Sequence, residues 1–395
     1  MKQDTTHTKI NWLLFIGILL VAANLRAPIT SIGIALPHIK DELMLSNTTV
    51  SFITIVPLLA FSVVSLFAAK TSRHLGLEKT IFIALILIFI GVVVRSITHV
   101  SWLYIGTVLL GIGIAFGNVL APAFIKAKFP LRIGIMTGYY TVVMNVFGSA
   151  STYTTAPLVK HFHYNIAIGF ISIITLIALI VWAFQLKNKP EETSQVATTD
   201  VNVWKSPLSW QITLVMGGQS LLFYSLINWL PEYLNSQGFS LDKAGLYLSI
   251  LQIAIIPLTF ITPIIATKMQ SQYGLTFGTG ALFVIGVVIM MFEPTWALLA
   301  AILIGVASGL AFGLVNTFFS LRAEQGTTAA KLSGMSQSVG YFFAAIGPLF
   351  FGILHDISGS WILSLSILLI TAVAIMIFGA GAGKNKTIEQ TLNIK

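Results

Sequence analysis

Long apolar stretches, each separated from the next by a short polar break, follow one another along the whole sequence. A helix needs about 20 mostly apolar residues to cross the hydrocarbon core of a bilayer, and the stretches are of that length. The pattern therefore predicts an all-α integral membrane protein with twelve transmembrane helices. We expect these spans at about residues 11–36, 48–69, 80–97, 102–125, 134–158, 165–186, 210–234, 244–267, 276–292, 295–319, 333–354 and 360–382.

The longest polar segment lies near the middle of the chain and divides the predicted spans into six and six. It is rich in Lys, Glu, Thr, Ser and Asn. The predicted organisation is an N-terminal six-helix bundle (1–186), a cytoplasmic linker (187–209), a C-terminal six-helix bundle (210–382) and a cytoplasmic tail (383–395).

Short matches between the two halves indicate that the bundles are repeats. The tripeptide Ala-Phe-Gly at 115–117 recurs at 311–313, an offset of 196 residues. Gly138 is matched by Gly334 at the same offset. Two parallel six-helix repeats predict a pseudo-symmetric molecule with a substrate site between the halves, near the middle of the bilayer.

The composition and the charges add an orientation to this picture. With 56% hydrophobic and only 9% charged residues, the chain lacks the polar surface of a soluble enzyme. If the N-terminus is cytoplasmic, 17 of the 22 Lys and Arg residues fall on the cytoplasmic side and four on the other. This bias predicts a multi-pass protein of the cell membrane with both termini in the cytoplasm, and it explains the net charge of +9 without nucleic acid.

Arg26 is the remaining cation and is predicted to lie near the middle of the first span. All 13 Asp and Glu residues fall in loops, tails or helix ends, and Arg95 is expected at an outer helix end. A charge inside the membrane marks a functional site by default, and a guanidinium without a carboxylate partner suits an anionic or strongly polar substrate. Alternatively, Arg26 caps carbonyl groups freed by Pro28, or pairs with Asn24 or a facing Asn.

Further polar side chains recur at a similar depth and are predicted to complete the substrate site with Arg26. Amides and phenols cost free energy in hydrocarbon unless they are paired, so these side chains should face the interior. Hydrogen bonds between helices are the alternative explanation for each of them. The candidates are Asn24, Asn118, Tyr139, Tyr140, Gln219, Tyr224, Asn228, Gln337 and Tyr341.

Motifs for other chemistries do not fit. The chain has no Cys and no Walker A sequence, and its Gly-rich stretch at 111–117 has the wrong spacing for a dinucleotide and lies inside a predicted span. The seven His residues show no metal-ligand spacing. We therefore expect no enzymatic activity, no cofactor and no metal, and a monomer whose partners are a small solute and the lipid bilayer.

Two sets of motifs resemble a known family. The loop at 70–79 (KTSRHLGLEK) is similar to a degenerate loop motif of the major facilitator superfamily, with Gly76 and Lys79 at its glycine and basic positions. Arg73 stands where the family usually has Asp. The stretches NLRAPIT (24–30), GNVLAP (117–122), QSLLFY (219–224) and LSGMSQSVGY (332–341) resemble the cyanate-permease and 2-nitroimidazole-transporter branch of that superfamily.

The resemblance implies the major facilitator fold and a gating role for Arg73, Gly76 and Lys79. It also implies a secondary active or facilitative transporter that works by alternating access. The implied solute is small and polar or anionic, either a cyanate-like anion or a small nitrogen compound. One alternative is multidrug-type efflux of small neutral compounds such as nitroimidazoles. A second alternative is a membrane sensor that does not transport.

Overall fold

The computed structural model describes residues 12–45, 47–186 and 201–393. Within these ranges all regular structure is helical, and short 3-10 turns at Pro130–Arg132, Val203–Lys205 and Pro294–Trp296 join some of the helices. The α-helices are α1 (Trp12–Glu42), α2 (Asn47–Leu75), α3 (Leu77–Arg95), α4 (Val100–Lys128), α5 (Ile133–His161), α6 (Tyr164–Gly169), α7 (Ser172–Gln185), α8 (Pro207–Ser236), α9 (Leu241–Lys268), α10 (Tyr273–Phe292), α11 (Ala297–Leu321), α12 (Gly326–Ser358), α13 (Trp361–Ala382) and α14 (Ile388–Thr391).

Ten helical segments of the described chain are long and apolar enough to cross a membrane. One of them, Tyr164–Gln185, comprises α6 and α7 together. Helices α5 and α8 have 29 and 30 residues, ample for a span, but they are less apolar. Their polar residues include several that line a cavity described below. The chain is therefore an all-helical multi-pass membrane protein, and twelve crossings stay a prediction.

Parts of the predicted organisation lie outside the described residues. They are residues 1–11, residues 187–200 of the predicted linker and the last two residues of the predicted tail. The predicted cytoplasmic cations Lys2, Lys9, Lys187, Lys189 and Lys395 belong to these segments.

Buried apolar side chains form a separate core in each half of the chain. One large cluster consists of residues between Val201 and Ile388, with Phe283 and Phe318 fully buried in it. Another is made mostly of residues before 183 and includes Trp182. Alanines of α12, at positions 330, 344 and 345, join this second cluster. Helix α12 thus packs against both halves.

The two halves contact each other extensively through α2 with α12 and α5 with α9. Thr141 of α5 donates a 2.7 Å hydrogen bond to the carbonyl of Thr259 in α9. At the C-terminal ends of α4 and α11, Lys126 donates to the carbonyl of Ser320 at 2.9 Å, and the Ser320 hydroxyl donates to the carbonyl of Pro122 at 3.1 Å. We call this end of the molecule the closed face.

The two glycines matched at an offset of 196 residues lie at these contacts between the halves. A Cβ atom at Gly138 would lie 2.9 Å from the carbonyl oxygen of Phe260 in α9. A Cβ atom at Gly334 would lie 2.5 Å from the carbonyl oxygen of Ser65 in α2. Contacts this short are not compatible with a side chain, so glycine is what allows the helices to pack closely here.

The segment after α13 folds back against the closed face. The side chain of Ile388 is fully buried, and its N–H donates to the carbonyl of Arg322 at 2.8 Å. Both carboxylate oxygens of Glu389 accept from the N–H of Glu324 at 3.1 Å. Arg322 donates to the carbonyls of Ala382 and Gly383, and burial lowers its pKa to about 10, so it stays protonated at neutral pH. These bonds attach the end of the chain to the loop between α11 and α12.

We expect Glu389→Ala to release α14 from the closed face. Loss of a charge-assisted hydrogen bond that is buried costs about 1–3 kcal/mol, which corresponds to an acceleration of hydrogen exchange by about five-fold or more at the amides of Ile388 and Glu324. Hydrogen–deuterium exchange of the detergent-solubilised protein measures this. Glu293→Ala, which removes an exposed acid outside this cluster, is the control. Unchanged exchange in Glu389→Ala would contradict the attachment.

Arg95 differs from its prediction. It is the last residue of α3, as expected for a helix end, but its side chain is only 1% exposed. Its Nη2 donates a long 3.4 Å hydrogen bond to Ser31, and its Nε has no hydrogen-bond partner in the described structure. Its side chain bonds Ser31 of α1, and Gly106 of α4 lies against its backbone, so neighbouring helices enclose this end of α3. The predicted first span ends at 36, whereas α1 continues to Glu42. Arg26 is therefore not the only cation removed from loops and tails.

Candidate functional site

A cavity of about 420 Å³ lies between the two halves. Side chains from α1, α2, α4 and α5 line one side, and side chains from α8, α9, α11 and α12 line the other. Gly33, Ser149 and Gln252, which lie toward the end of the molecule away from the closed face, are lining residues that are exposed. The cavity therefore opens away from the closed face.

Five of the ten predicted site residues line this cavity. They are Arg26, Asn118, Gln219, Tyr224 and Tyr341. They come from α1, α4, α8 and α12, so both halves contribute. The structure thus brings together residues that are more than 300 positions apart in the sequence.

Arg26 projects into the cavity from α1. Its Nη1 donates a 2.8 Å hydrogen bond to Oδ1 of Asn145 in α5, which is the one hydrogen bond of the Arg26 side chain among the described residues. Its guanidinium carbon lies 5.6 Å from the centre of the Phe223 ring of α8, within the range of a cation–π interaction. No Asp or Glu of the described chain lines the cavity. The positive charge is therefore held in place without being neutralised.

Neighbouring residues of α5 determine how Arg26 is presented. Nδ2 of Asn145 donates to the carbonyl of Thr141 at 2.8 Å, which fixes the amide so that its oxygen faces Arg26. A Cβ atom at Gly148 would lie 3.1 Å from Cγ of Arg26, so glycine leaves room for the stem of the arginine. Thr30 donates to the carbonyl of Gly148 at 2.8 Å and ties α1 to α5 beside it.

Asn118 is the centre of a hydrogen-bonded floor at the inner end of the cavity. Its Oδ1 accepts from the hydroxyl of Tyr140 at 3.4 Å, and its Nδ2 donates to the hydroxyl of Tyr341 at 3.4 Å. Nε2 of Gln337 donates to the backbone carbonyl of Asn118 at 2.9 Å. The ring of Tyr341 packs on Phe61 of α2 with centroids 4.9 Å apart. Tyr140 and Gln337 therefore support the floor without lining the cavity.

The other three predicted site residues lie elsewhere. Asn24 is fully buried, and its Oδ1 accepts from Thr175 of α7 at 2.6 Å, so it joins two helices of the N-terminal half. Tyr139 packs between Phe15 and Phe260, with centroids 5.6 and 5.4 Å away. Asn228 is exposed, and its amide donates to the carbonyl of Tyr224, one turn earlier in α8.

Several lining residues were not among the predicted site residues. Asn145 and Gln252 are amides inside predicted spans, and that same signal could have selected them. The aromatic residues Phe61, Phe223 and Phe312 also line the cavity, but nothing in the sequence separates them from the other phenylalanines, of which the chain has 27.

The three predicted gating residues lie around the junction of α2 and α3: Arg73 in the last turn of α2, Gly76 between the helices and Lys79 in the first turn of α3. Gly76 has a positive φ of 87°, a conformation that favours glycine, and it precedes α3. Arg73 and Lys79 are exposed at this junction. Glu78 in the first turn of α3 forms a 3.0 Å ion pair with Lys128, which joins the start of α3 to the end of α4. A gating role for Arg73, Gly76 and Lys79 stays a prediction.

Comparison with known proteins supports the motif resemblance. The family model described as Major Facilitator Superfamily matches residues 14–345. The chain is 38% identical to the Uncharacterized transporter YycB of Bacillus subtilis, covering 96% of this chain and 95% of that protein. It is 36% identical to the 2-nitroimidazole transporter of Escherichia coli, covering 95% of this chain and 96% of that protein. It is 24% identical to the Cyanate transport protein CynX of Escherichia coli, covering 91% of this chain and 94% of that protein.

The fold is shared with solved transporters. The proton:xylose symporter XylE, solved with bound 6-bromo-6-deoxy-D-glucose, superposes with a TM-score of 0.79. The superposition covers 97% of this chain and 98% of that one, at 13% sequence identity. At such identity the likeness shows the fold alone.

Proposed function

The chain belongs to the major facilitator superfamily of small-solute transporters, and from this premise we propose that it carries a small polar or anionic solute by alternating access through the cavity at Arg26. The proposal depends on one observation above all. The Arg26 guanidinium faces the cavity, and no carboxylate of the described chain lines it. A carboxylate, cyanate or similar anion would supply the missing counter-charge.

We propose that residues 1–186 and 210–382 form two six-helix bundles that cross the membrane twelve times in all, with both termini in the cytoplasm. The excess of Lys and Arg on one side supports this orientation. The closed face would then lie at the cytoplasmic side, and the cavity would open to the outside. Transport would require the contacts of α2 with α12 and of α5 with α9 to separate while the outer ends approach each other. We propose that a monomer is sufficient, because both walls of the cavity belong to one chain.

A second candidate is a neutral nitroheteroaromatic solute. The cavity has a substantial aromatic and apolar lining, including Phe61, Phe223, Phe312 and Met144. The oxygens of a nitro group can accept hydrogen bonds from Arg26, more weakly than a carboxylate because the group is neutral, while the ring packs on the aromatic side chains. A relative that is 36% identical carries the name 2-nitroimidazole transporter, which supports this candidate. Export of such compounds would be the multidrug-type alternative.

Thermal-shift screening followed by flux measurements tests the proposal. Cyanate, nitrate, small carboxylates and nitroimidazoles would each be added to the purified protein, and a ligand at 100 times its Kd stabilises the folded state by about 2.7 kcal/mol. Compounds that stabilise the protein would then be tested for uptake into liposomes with and without it. Stabilisation without any flux would favour a membrane sensor and contradict transport.

A further inference from the structure

We infer that two matched side chains, Thr141 and Gln337, stabilise the closed face by bonding backbone carbonyls that prolines leave without a helical donor. Each side chain reaches from one half of the molecule to the other. The inference rests on the alternating access of the proposed function, and it identifies residues that set the balance between the two conformations.

The two acceptors are carbonyl groups that lie four residues before a proline inside a helix. In an α-helix the carbonyl of residue i accepts from the N–H of residue i+4, and proline has no N–H. Pro122 of α4 therefore leaves the carbonyl of Asn118 without its usual donor. Pro263 of α9 has the same effect on the carbonyl of Thr259. A buried carbonyl without a donor costs free energy, so each of the two needs a donor from elsewhere.

In both cases the donor comes from the other half of the chain. Nε2 of Gln337 in α12 donates to the carbonyl of Asn118 at 2.9 Å. The hydroxyl of Thr141 in α5 lies 2.7 Å from the carbonyl of Thr259, closer than the 2.9 and 3.0 Å to two carbonyls of its own helix. All four residues are buried. Each freed carbonyl is therefore satisfied by the opposite half.

The two donors occupy corresponding positions in the two repeats. Thr141 and Gln337 are separated by 337 − 141 = 196 residues, the offset that also relates Gly138 to Gly334. Each donor follows its glycine by three residues, so the two lie on the same side of their helix. The glycine brings the helices of the two halves close together, and the donor one turn later bonds across the contact. The arrangement thus follows the pseudo-symmetry of the repeats.

Both bonds break when the halves separate at the closed face, and both donors then have a partner in their own helix. The Thr141 hydroxyl can turn to the carbonyls of Thr137 and Gly138. The Gln337 amide keeps its 2.8 Å bond to Oγ of Ser333. Water that enters the opened face hydrates the two freed carbonyls. The bonds therefore favour the closed conformation without leaving a donor unpaired in the open one.

A thiol buried at the closed face measures how often that face opens. The chain has no Cys, and Ser65 is fully buried where α2 meets Gly334 of α12, so Ser65→Cys provides a single reporter. In detergent solution a maleimide reacts with this thiol only while α2 and α12 are apart. The labelling rate then follows the population of that conformation. All variants of the test carry this reporter.

Loss of either donor should expose the reporter more often. We expect Gln337→Met and Thr141→Val each to raise the labelling rate by at least about five-fold, because a carbonyl is then left unpaired in the closed conformation. Both replacements keep a side chain of similar size, and thermal melting checks that the variants fold. An unchanged labelling rate in both folded variants would overturn the inference.

The prolines distinguish a bond to a freed carbonyl from ordinary packing. Pro122→Ala restores the N–H that bonds the Asn118 carbonyl within α4, so Gln337→Met in that background should change the rate by less than about two-fold. Thr141→Val should keep its effect of at least about five-fold beside Pro122→Ala and lose it beside Pro263→Ala. Because the two pairs are independent, either one is sufficient if a proline variant of the other does not fold. Equal effects of a donor with and without its own proline would overturn the inference.

Failure of the inference is distinguishable from failure of the proposed function. Labelling that responds to neither donor, together with normal uptake of cyanate into liposomes, contradicts only the role of Thr141 and Gln337. A reporter that reacts in no folded variant, but reacts fully in denatured protein, shows that the closed face does not open. That result would overturn the proposed alternating access and the inference with it.

Discussion

Uptake of cyanate into protein-loaded liposomes should fall by about 100-fold when Arg26 is replaced by Gln, because the variant keeps a polar side chain but has no charge to pair with the anion. The loss should appear mainly at low cyanate concentration, where binding limits the rate. Arg26→Lys keeps the charge but lacks the planar guanidinium that donates to Asn145 and lies over Phe223. We expect it to lose about ten-fold.

Arg95 offers a matched control for this measurement. It is a buried arginine of the N-terminal half, and it does not line the cavity. A buried charge without a counter-charge costs free energy, so an apolar side chain of similar length should be neutral or stabilising at this position. Arg95→Met should therefore retain uptake and melt at the same or a higher temperature. Wild-type uptake in Arg26→Gln would exclude Arg26 as the anion-binding residue.

A larger side chain at Gly334 should stop transport by a different route. A leucine there would meet the carbonyl of Ser65, which leaves only 2.5 Å for a Cβ atom, and would force α12 away from α2. Overpacking of this kind costs about 1–3 kcal/mol, enough to shift a conformational equilibrium by about five-fold to about 150-fold. The contacts between the halves at the closed face would be weakened. The protein should therefore favour the conformation in which the cavity opens at that face.

Labelling of a single cysteine measures this shift. The chain contains no Cys, so Gln252→Cys places one reactive thiol in the exposed part of the cavity lining. A membrane-impermeant maleimide should label it at least about ten-fold more slowly from outside when Gly334→Leu is present. Gly245→Leu is the control, because no atom lies within 4 Å of a Cβ at that position. Equally fast labelling of the Gly334→Leu and the Gly245→Leu proteins would argue against a gate at Gly334.

Neighbouring residues of α1 show how far the sequence could locate the site. Arg26 was identified because it is a charge inside an apolar run, and the structure places it in the cavity. Asn24 gives the same local signal only two residues earlier. Two residues along a helix correspond to a rotation of about 200°, so the two side chains point in nearly opposite directions. Asn24 faces Thr175 of α7 instead.

The same limit applies to the floor of the cavity. Tyr139 and Tyr140 are adjacent in the sequence, yet Tyr140 bonds Asn118 and Tyr139 packs between Phe15 and Phe260. Asn145 carries the amide that holds Arg26, but in the sequence it is one amide among several inside apolar spans. Which of these amides meets the arginine depends on how α5 packs against α1.

The patterns of the sequence predict a helical chain that passes the membrane repeatedly and its membership of a transporter superfamily, and both predictions are confirmed. A cation at mid-span stays a prediction. Those properties follow from how each residue partitions between water and hydrocarbon and from short motifs, both of which are local. Three features appear only in the folded chain: Arg95 is buried beside Ser31 of α1, Asn118 links the two halves, and Arg26 faces an open cavity beside Asn145 and Phe223. Hydrophobicity places a helix in the membrane, but the packing of its neighbours determines which of its faces meets the substrate.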